Sequence, residues 1–144
     1  MRSLTKLLPT QVAERWALIR KSCIECAMID PRLPEDEQAN NLLQMFLVGG
    51  YEAWVGYEDE KFAGFVFTTI FRNDAGVRTF HVLGLWTPSG FTDEMFYACL
   101  QTLSTYAKSK GCIELNTNTI IKPLVNRLVR LGGKIKHVQI AFDL

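Results

Sequence analysis

Between Tyr51 and Trp86 the sequence reads YEAWVGY, FAGFVFTTIF and VRTFHVLGLW, three runs dense in aromatic and branched residues. Side chains of this kind suit a pleated, partly buried surface. EDEK and RNDAG separate the runs, and both have the composition of turns. Short connections join strands that run in opposite directions, so this stretch predicts a three-stranded antiparallel meander.

Helical signals surround it. Ser3 to Leu7 is read as a short first strand, stopped by Pro9. Thr10 is placed as the N-cap of one helix running to about Ile29, with Val12, Trp16, Ile19, Cys23 and Cys26 on its apolar face and Pro31 beyond its end. Pro34 is placed at the first position of a second helix. Glu35, Asp36 and Glu37 follow at its positive end, and Gly49-Gly50 closes it. After the meander a helix is expected from about Asp93 to Lys110. CIELNTN is then a fifth strand, PLVNRLVRL a short helix, and KIKHVQIAFDL a final strand in which Val138, Ile140, Phe142 and Leu144 alternate. The class is α+β. A single domain over residues 1–144 should hold a mixed, mostly antiparallel sheet of about six strands flanked by four helices.

Composition narrows the function classes. Of 144 residues, 48% are hydrophobic and 22% charged, enough for a real core. A net charge of +1 gives no general case for nucleic acid or acidic membranes. The apolar runs are too short for a membrane span or a signal peptide, so the expected compartment is the cytoplasm or a virus particle assembled there. Cys23, Cys26, Cys99 and Cys112 lack the second CxxC or histidine pair of a zinc site and are expected to be reduced and structural.

The element order and the tail AKSKGCIELNTNTIIKPLVNRLVRLGGKI resemble the GNAT N-acetyltransferase superfamily, with Ala107, Gly111, Leu115, Leu128, Leu131 and Gly132 at matching places. The resemblance implies acetyl-CoA bound where the fourth and fifth strands part. Pantetheine would lie along Leu83 and Leu85, and pyrophosphate at the following loop and helix, around Ser89 and Gly90.

That loop, TPSGFTDE, departs from the family's glycine-rich pattern. It has one glycine and no Arg or Lys, and Pro88 offers no N–H. Thr92 is placed as the helix cap. Asp93 and Glu94 fill the first turn and would meet the phosphates. Each like-charge pair at about 4 Å costs roughly 1 kcal/mol in water and several times that near a protein surface. Only a weaker anion site, built from Thr87, Ser89 and the Gly90 N–H, is left. The tyrosine that many members place four residues before the closing Gly would fall at Leu128. His81, on the fourth strand, is the one candidate there for a general base. Tyr106 is read as core, and Glu114 as part of a solvated face or, alternatively, of a buried ion pair.

These departures lead to the expectation of a degenerate member without efficient acetyl transfer. Such a chain would hold no coenzyme and would serve as a binding or assembly module. It is similar to small GNAT-like proteins carried among the virion genes of tailed phages, which share a strand ending in Trp before a Ser-Gly loop. The alternative is an acetyl-CoA-dependent N-acetyltransferase for a small amine or a protein amine. A protein partner or a second copy would meet the basic C-terminal third, at Arg127, Arg130, Lys134 and Lys136, or Trp86. No membrane contact is expected, and no groove-reading or stacking motif points to nucleic acid.

Overall fold

A computed structural model describes all residues of the sequence, 1–144. The elements in chain order are β1 (Arg2–Lys6), α1 (Pro9–Glu14), α2 (Trp16–Glu25), α3 (Glu35–Leu47), β2 (Tyr51–Glu58), β3 (Lys61–Arg72), β4 (Arg78–Trp86), α4 (Asp93–Ser109), β5 (Glu114–Thr117) and α5 (Lys122–Arg130). One five-stranded sheet is ordered β1-β2-β3-β4-β5. The first three pairings are antiparallel, and β4 pairs with β5 in parallel.

Alternation along the meander sends side chains to two faces. Trp54, Val66 and Phe80 meet Met95, Cys99 and Leu103 of α4 on one. Val55, Phe65 and Phe67 meet Val12, Ile19, Cys23 and Phe46 of α1–α3 on the other. The one polar group of the Trp54 ring is satisfied inside: its Nε1–H donates to Thr68 Oγ1 at 2.9 Å. None of the helices is long and apolar enough to cross a membrane.

Three expectations need correction. The first helix is two: the chain leaves helical geometry at Arg15 (φ −105°, ψ 16°), and α2 stops at Glu25 rather than Ile29. It stops because Met28 N–H bonds Cys23 O and Ala27 N–H bonds Ile24 O, which is the Schellman closure. That closure holds Ala27 at φ 61°, a conformation usually left to glycine. Pro34 is the N-cap of α3, not its first helical residue.

The third correction concerns residues 134–144, which form no strand. The sheet therefore has five strands, and with the first helix divided there are five helices rather than four. The alternation of Val138, Ile140 and Phe142 is real, but all three are about four-fifths exposed (81%, 79% and 86%). No backbone hydrogen bond involves this tail.

Candidate functional site

The parallel strands β4 and β5 pair at only four positions, from Thr79↔Glu114 to Val82↔Thr117. β5 then ends, while β4 continues from Leu83 to Trp86, paired with β3 alone. The strands thus form a fork whose inner β4 edge carries unpaired ladder groups. A bulge sits at the same point: Phe67 faces Gly84 and Thr68 faces Val82, leaving Leu83 without an opposite residue. Gly84 lets α2 close on the strand here. A Cβ at this position would lie 2.6 Å from Cys26 Sγ and 3.0 Å from Met28 Sδ. Met28 in turn lines an open groove of about 610 Å³ bordered by Ala27–Arg32, Gln38 and Asp143.

The loop beyond β4 is a helix start capped as expected. Thr92 Oγ1 accepts from Met95 N–H at 3.1 Å and donates to Glu58 Oε2 at 3.2 Å. Gly90 adopts φ 77°, and its N–H is already committed to Thr87 O at 2.9 Å. It is therefore not free for an anion, contrary to the expectation. Ser89 is exposed. The backbone N–H groups of Asp93 and Glu94, at the positive end of α4, have no protein partner.

The charge of this loop also differs from what its own residues suggest. Arg127 of α5 reaches it from 34 positions away. Its Nε lies 3.0 Å from Asp93 Oδ1, a guanidinium nitrogen donates to Phe91 O, and the plane sits 4.5 Å over the Phe96 ring. One of the two first-turn carboxylates is thereby neutralised. Arg127 also belongs to the loop rather than to a free basic patch. Lys136 is likewise engaged, at 2.5 Å from Glu114.

His81 stands one residue before the fork, opposite Asn116. Asn116 Nδ2 donates to Glu114 Oε2 at 2.9 Å, which turns its Oδ1 toward His81 Nδ1 at 2.6 Å. An amide oxygen only accepts, so Nδ1 carries the proton and the neutral ring keeps its lone pair on Nε2. The edge of the ring pair with Phe71, centroids 5.9 Å apart, braces it further. Lys136, then Asn116, holds the Glu114 carboxyl below its ordinary value. Glu114 is thus a half-buried, doubly bonded acceptor instead of a solvated residue. Its spacing of two from Asn116 was the available sign that both share a strand face.

Other candidates lie elsewhere. Trp86 is half-buried, stacked on Phe65 at 6.1 Å, with its Nε1–H on Glu25 Oε2 at 2.6 Å. Tyr106 sits at the far end of the sheet, where its hydroxyl donates to Glu52 and Lys6 Nζ lies 3.4 Å away. Burial raises the Cys23 thiol well above its usual range and pushes those of Cys26 and Cys99 up to about 11, which keeps all three protonated and poorly nucleophilic. Leu128 is half-buried on α5.

No protein-family model and no curated protein sequence matches the chain. Solved structures do. The aminoglycoside N-acetyltransferase AAC(6')-Iy in complex with CoA is 15% identical with a TM-score of 0.67, covering 100% of this chain and 94% of its own. A Clostridium acetobutylicum protein, described as a predicted acetyltransferase and solved with acetyl-CoA, is 12% identical with a TM-score of 0.70, covering 99% and 96%. The ribosomal-protein-alanine N-acetyltransferase from Brucella melitensis biovar Abortus 2308 is 17% identical with a TM-score of 0.64, covering 100% and 98%. The chain has the GNAT fold, over its full described length. Among these structures the acceptors differ while the fold does not, so the acceptor is not carried by the fold.

Proposed function

We propose that the chain is an acetyl-CoA-dependent N-acetyltransferase acting on a small amine or a protein amine. The observation that carries this reading is the fork itself: an open β4 edge from Leu83 to Trp86 that leads from His81 to the N-terminus of α4. When bound, acetyl-CoA supplies an activated acyl group and a thiolate able to leave without metal help.

The chain's residues fit that group in three places. Leu83 and Leu85 offer backbone ladder groups to an extended amide chain. The free N–H groups of Asp93 and Glu94, with Arg127 beside them, offer positive charge to phosphates. Glu94 remains as an opposing carboxylate, so affinity should be modest. His81 Nε2 is the atom that accepts the proton of the attacking amine, with Asn116 and Glu114 fixing the ring. Leu128 leaves the thiolate to be protonated by solvent. The expectation of an assembly module without efficient acetyl transfer drew on the loop's own composition, which did not include Arg127, and on Leu128 in the place of the tyrosine.

Thermal unfolding with millimolar acetyl-CoA tests the reading. A ligand at about 100 times its dissociation constant adds roughly 2.7 kcal/mol of stability. No shift across that range sinks the proposal. His81→Gln should bind the coenzyme as well as wild type while lowering kcat about 100-fold or more. An unchanged kcat would remove His81 from the chemistry.

A further inference from the structure

The loop between α2 and α3 holds one guanidinium in place. Asp30 N–H donates to Gln38 Oε1 at 2.8 Å, and Gln38 Nε2 donates back to Asp30 O at 2.8 Å and to Leu33 O at 3.2 Å, so one side chain of α3 clamps the loop. Asp30 in turn takes one edge of Arg32. Nε lies 2.9 Å from Oδ1, Nη2 lies 2.6 Å from Oδ2, and the Arg32 backbone N–H donates to Oδ1 at 3.0 Å. Chiefly through the side-chain bonds, Arg32 holds the Asp30 carboxyl down at about 2, so the pair stays charged at neutral pH. The other edge of the guanidinium, at Nη1, meets only Asp143, through a single 2.5 Å bond within the groove of about 610 Å³ that both residues line.

Asp143 is a weak occupant of that edge. Its side chain is 85% exposed and that of Arg32 67%, and an exposed pair of this kind contributes little. No other hydrogen bond or ion pair holds residues 137–144; the tail's second anchor is Lys136 on Glu114. The two anchors flank His81 along β4. Glu114 lies opposite Thr79, two residues before it, and shares its face through Asn116. Arg32 belongs to the loop whose Met28 meets Gly84, three residues after it, and packs beside Leu83. A carboxylate on a loosely held segment thus sits at one end of the open face that His81 occupies.

We infer that Arg32 is the anchor for a carboxylate on the acceptor, that Asp143 holds its place in the free chain, and that the acceptor is an ω-amino acid, an amine with a carboxylate at the far end of its own chain. This deepens the transferase reading of the fork and rests on it. An incoming carboxylate accepts two parallel N–H bonds from the Nη1–Nη2 edge, where Asp143 accepts one. Spacing sets the length. Three steps of β4 separate His81 from Gly84, roughly 10 Å at the rise of a strand, so an amine at His81 and a carboxylate at Arg32 belong to opposite ends of an extended molecule. A polycationic acceptor finds no free acid here: Asp30 and Asp143 are committed to Arg32, Glu25 to Trp86, and Glu114 to Lys136 and Asn116.

Calorimetric titration with 6-aminohexanoate tests Arg32 without coenzyme, and 6-aminohexanamide is the comparison that keeps the amine and loses the charge. Wild type should bind the acid about tenfold more tightly than the amide. Arg32→Gln should bring the two within about twofold, and Arg32→Lys, which keeps the charge but not the planar fork, should fall between. Asp143→Asn should tighten the acid about two- to fivefold more than the amide, because only the acid competes with the tail. Both positions are mostly exposed, so the variants should melt with wild type. With acetyl-CoA added, kcat/KM for acid over amide should follow the same ratios. Equal binding of acid and amide by wild type overturns the inference, as does a preference that survives Arg32→Gln or an Asp143→Asn protein no tighter for the acid. Acetyl-CoA stabilisation with equal turnover of both probes sinks this inference and spares the transferase reading. A calorimetric preference without any acetyl-CoA stabilisation sinks that reading and upholds Arg32 as a carboxylate anchor.

Discussion

The chain up to Cys112 and the chain beyond it treat burial in opposite ways. All 25 buried residues lie at or before Cys112, and none lies after it. The upstream part fills both faces of the sheet with Phe46, Phe65, Phe67 and Phe80 and pairs the polar groups it buries. The downstream part has the chain's one basic concentration, an amphipathic helix without a buried residue, and an unpaired tail. The lesson is a division of labour. The upstream part fixes the position of β4 and α4, and the downstream part supplies the groups that set charge and closure around the fork: Arg127, Asn116, Glu114 and Lys136.

The sharpest way to break this comparison is to truncate one apolar side chain on each side to alanine. Phe67→Ala removes a ring with no exposed surface and should destabilise the fold by about 3–5 kcal/mol. Leu128→Ala, on half-covered α5, should cost about 1 kcal/mol. Urea denaturation of the two variants measures both. Equal losses would mean that α5 is covered in solution by something beyond the single chain.

Ala27→Gly probes a defect within the well-packed part. Ala27 closes α2 at φ 61°, which costs an L-residue roughly 1 kcal/mol that glycine avoids. The variant should be more stable by about 1 kcal/mol in the same denaturation experiment. An unchanged or lowered midpoint would show that the Schellman closure is not formed.

That residue also marks where the sequence stopped being readable. The meander was legible because alternation and turn chemistry agree, and α4 because Thr92, Asp93, Glu94 and Gly111 mark both its ends. The end of α2 was not, since a left-handed alanine carries no compositional sign. The bulge at Leu83 was equally silent: LGL within a strand reads the same with or without an extra residue. His81 could be singled out as the titrating residue of its strand, but its tautomer depends on Asn116 and Glu114, more than 30 positions away. The pairing of Arg127 with Asp93 is of the same long-range kind. In the tail the pattern was visible, but alternation describes what a segment could pair with and not whether the partner is in the same chain.

Arg127 gives a smaller effect that separates charge from packing. Its ion pair with Asp93 is one-third exposed on the arginine side and mostly exposed on the aspartate side, so Arg127→Ala should cost no more than about 1 kcal/mol of stability. If the loop takes phosphates, the same variant should weaken acetyl-CoA about tenfold, and Asp93→Asn should strengthen it by a comparable factor. Calorimetric titration reads both. Equal affinities in all three proteins would remove the loop from coenzyme binding while leaving the fork intact.

The smallest effect is a matter of pH. Lys136 first, and Asn116 second, hold the Glu114 carboxyl below the ordinary glutamate range. A lowered value in the folded state means that the folded chain binds fewer protons than the unfolded one. The contribution is therefore complete above the unfolded value and is lost as pH falls through the lower folded value. Because the Lys136 side is two-thirds exposed, it should amount to a few tenths of a kcal/mol. Glu114→Gln should flatten that part of the acid limb, which wild type should show as pH falls below the ordinary glutamate range. The same protonation releases Lys136 and, with it, one of the two anchors of the tail. The NMR order parameters of residues 134–144 should then fall in acid before those of β2 or β3. If tail and meander loosen together, the downstream third is held by more than side-chain charge, and the contrast between the two parts of the molecule fails at its most exposed point.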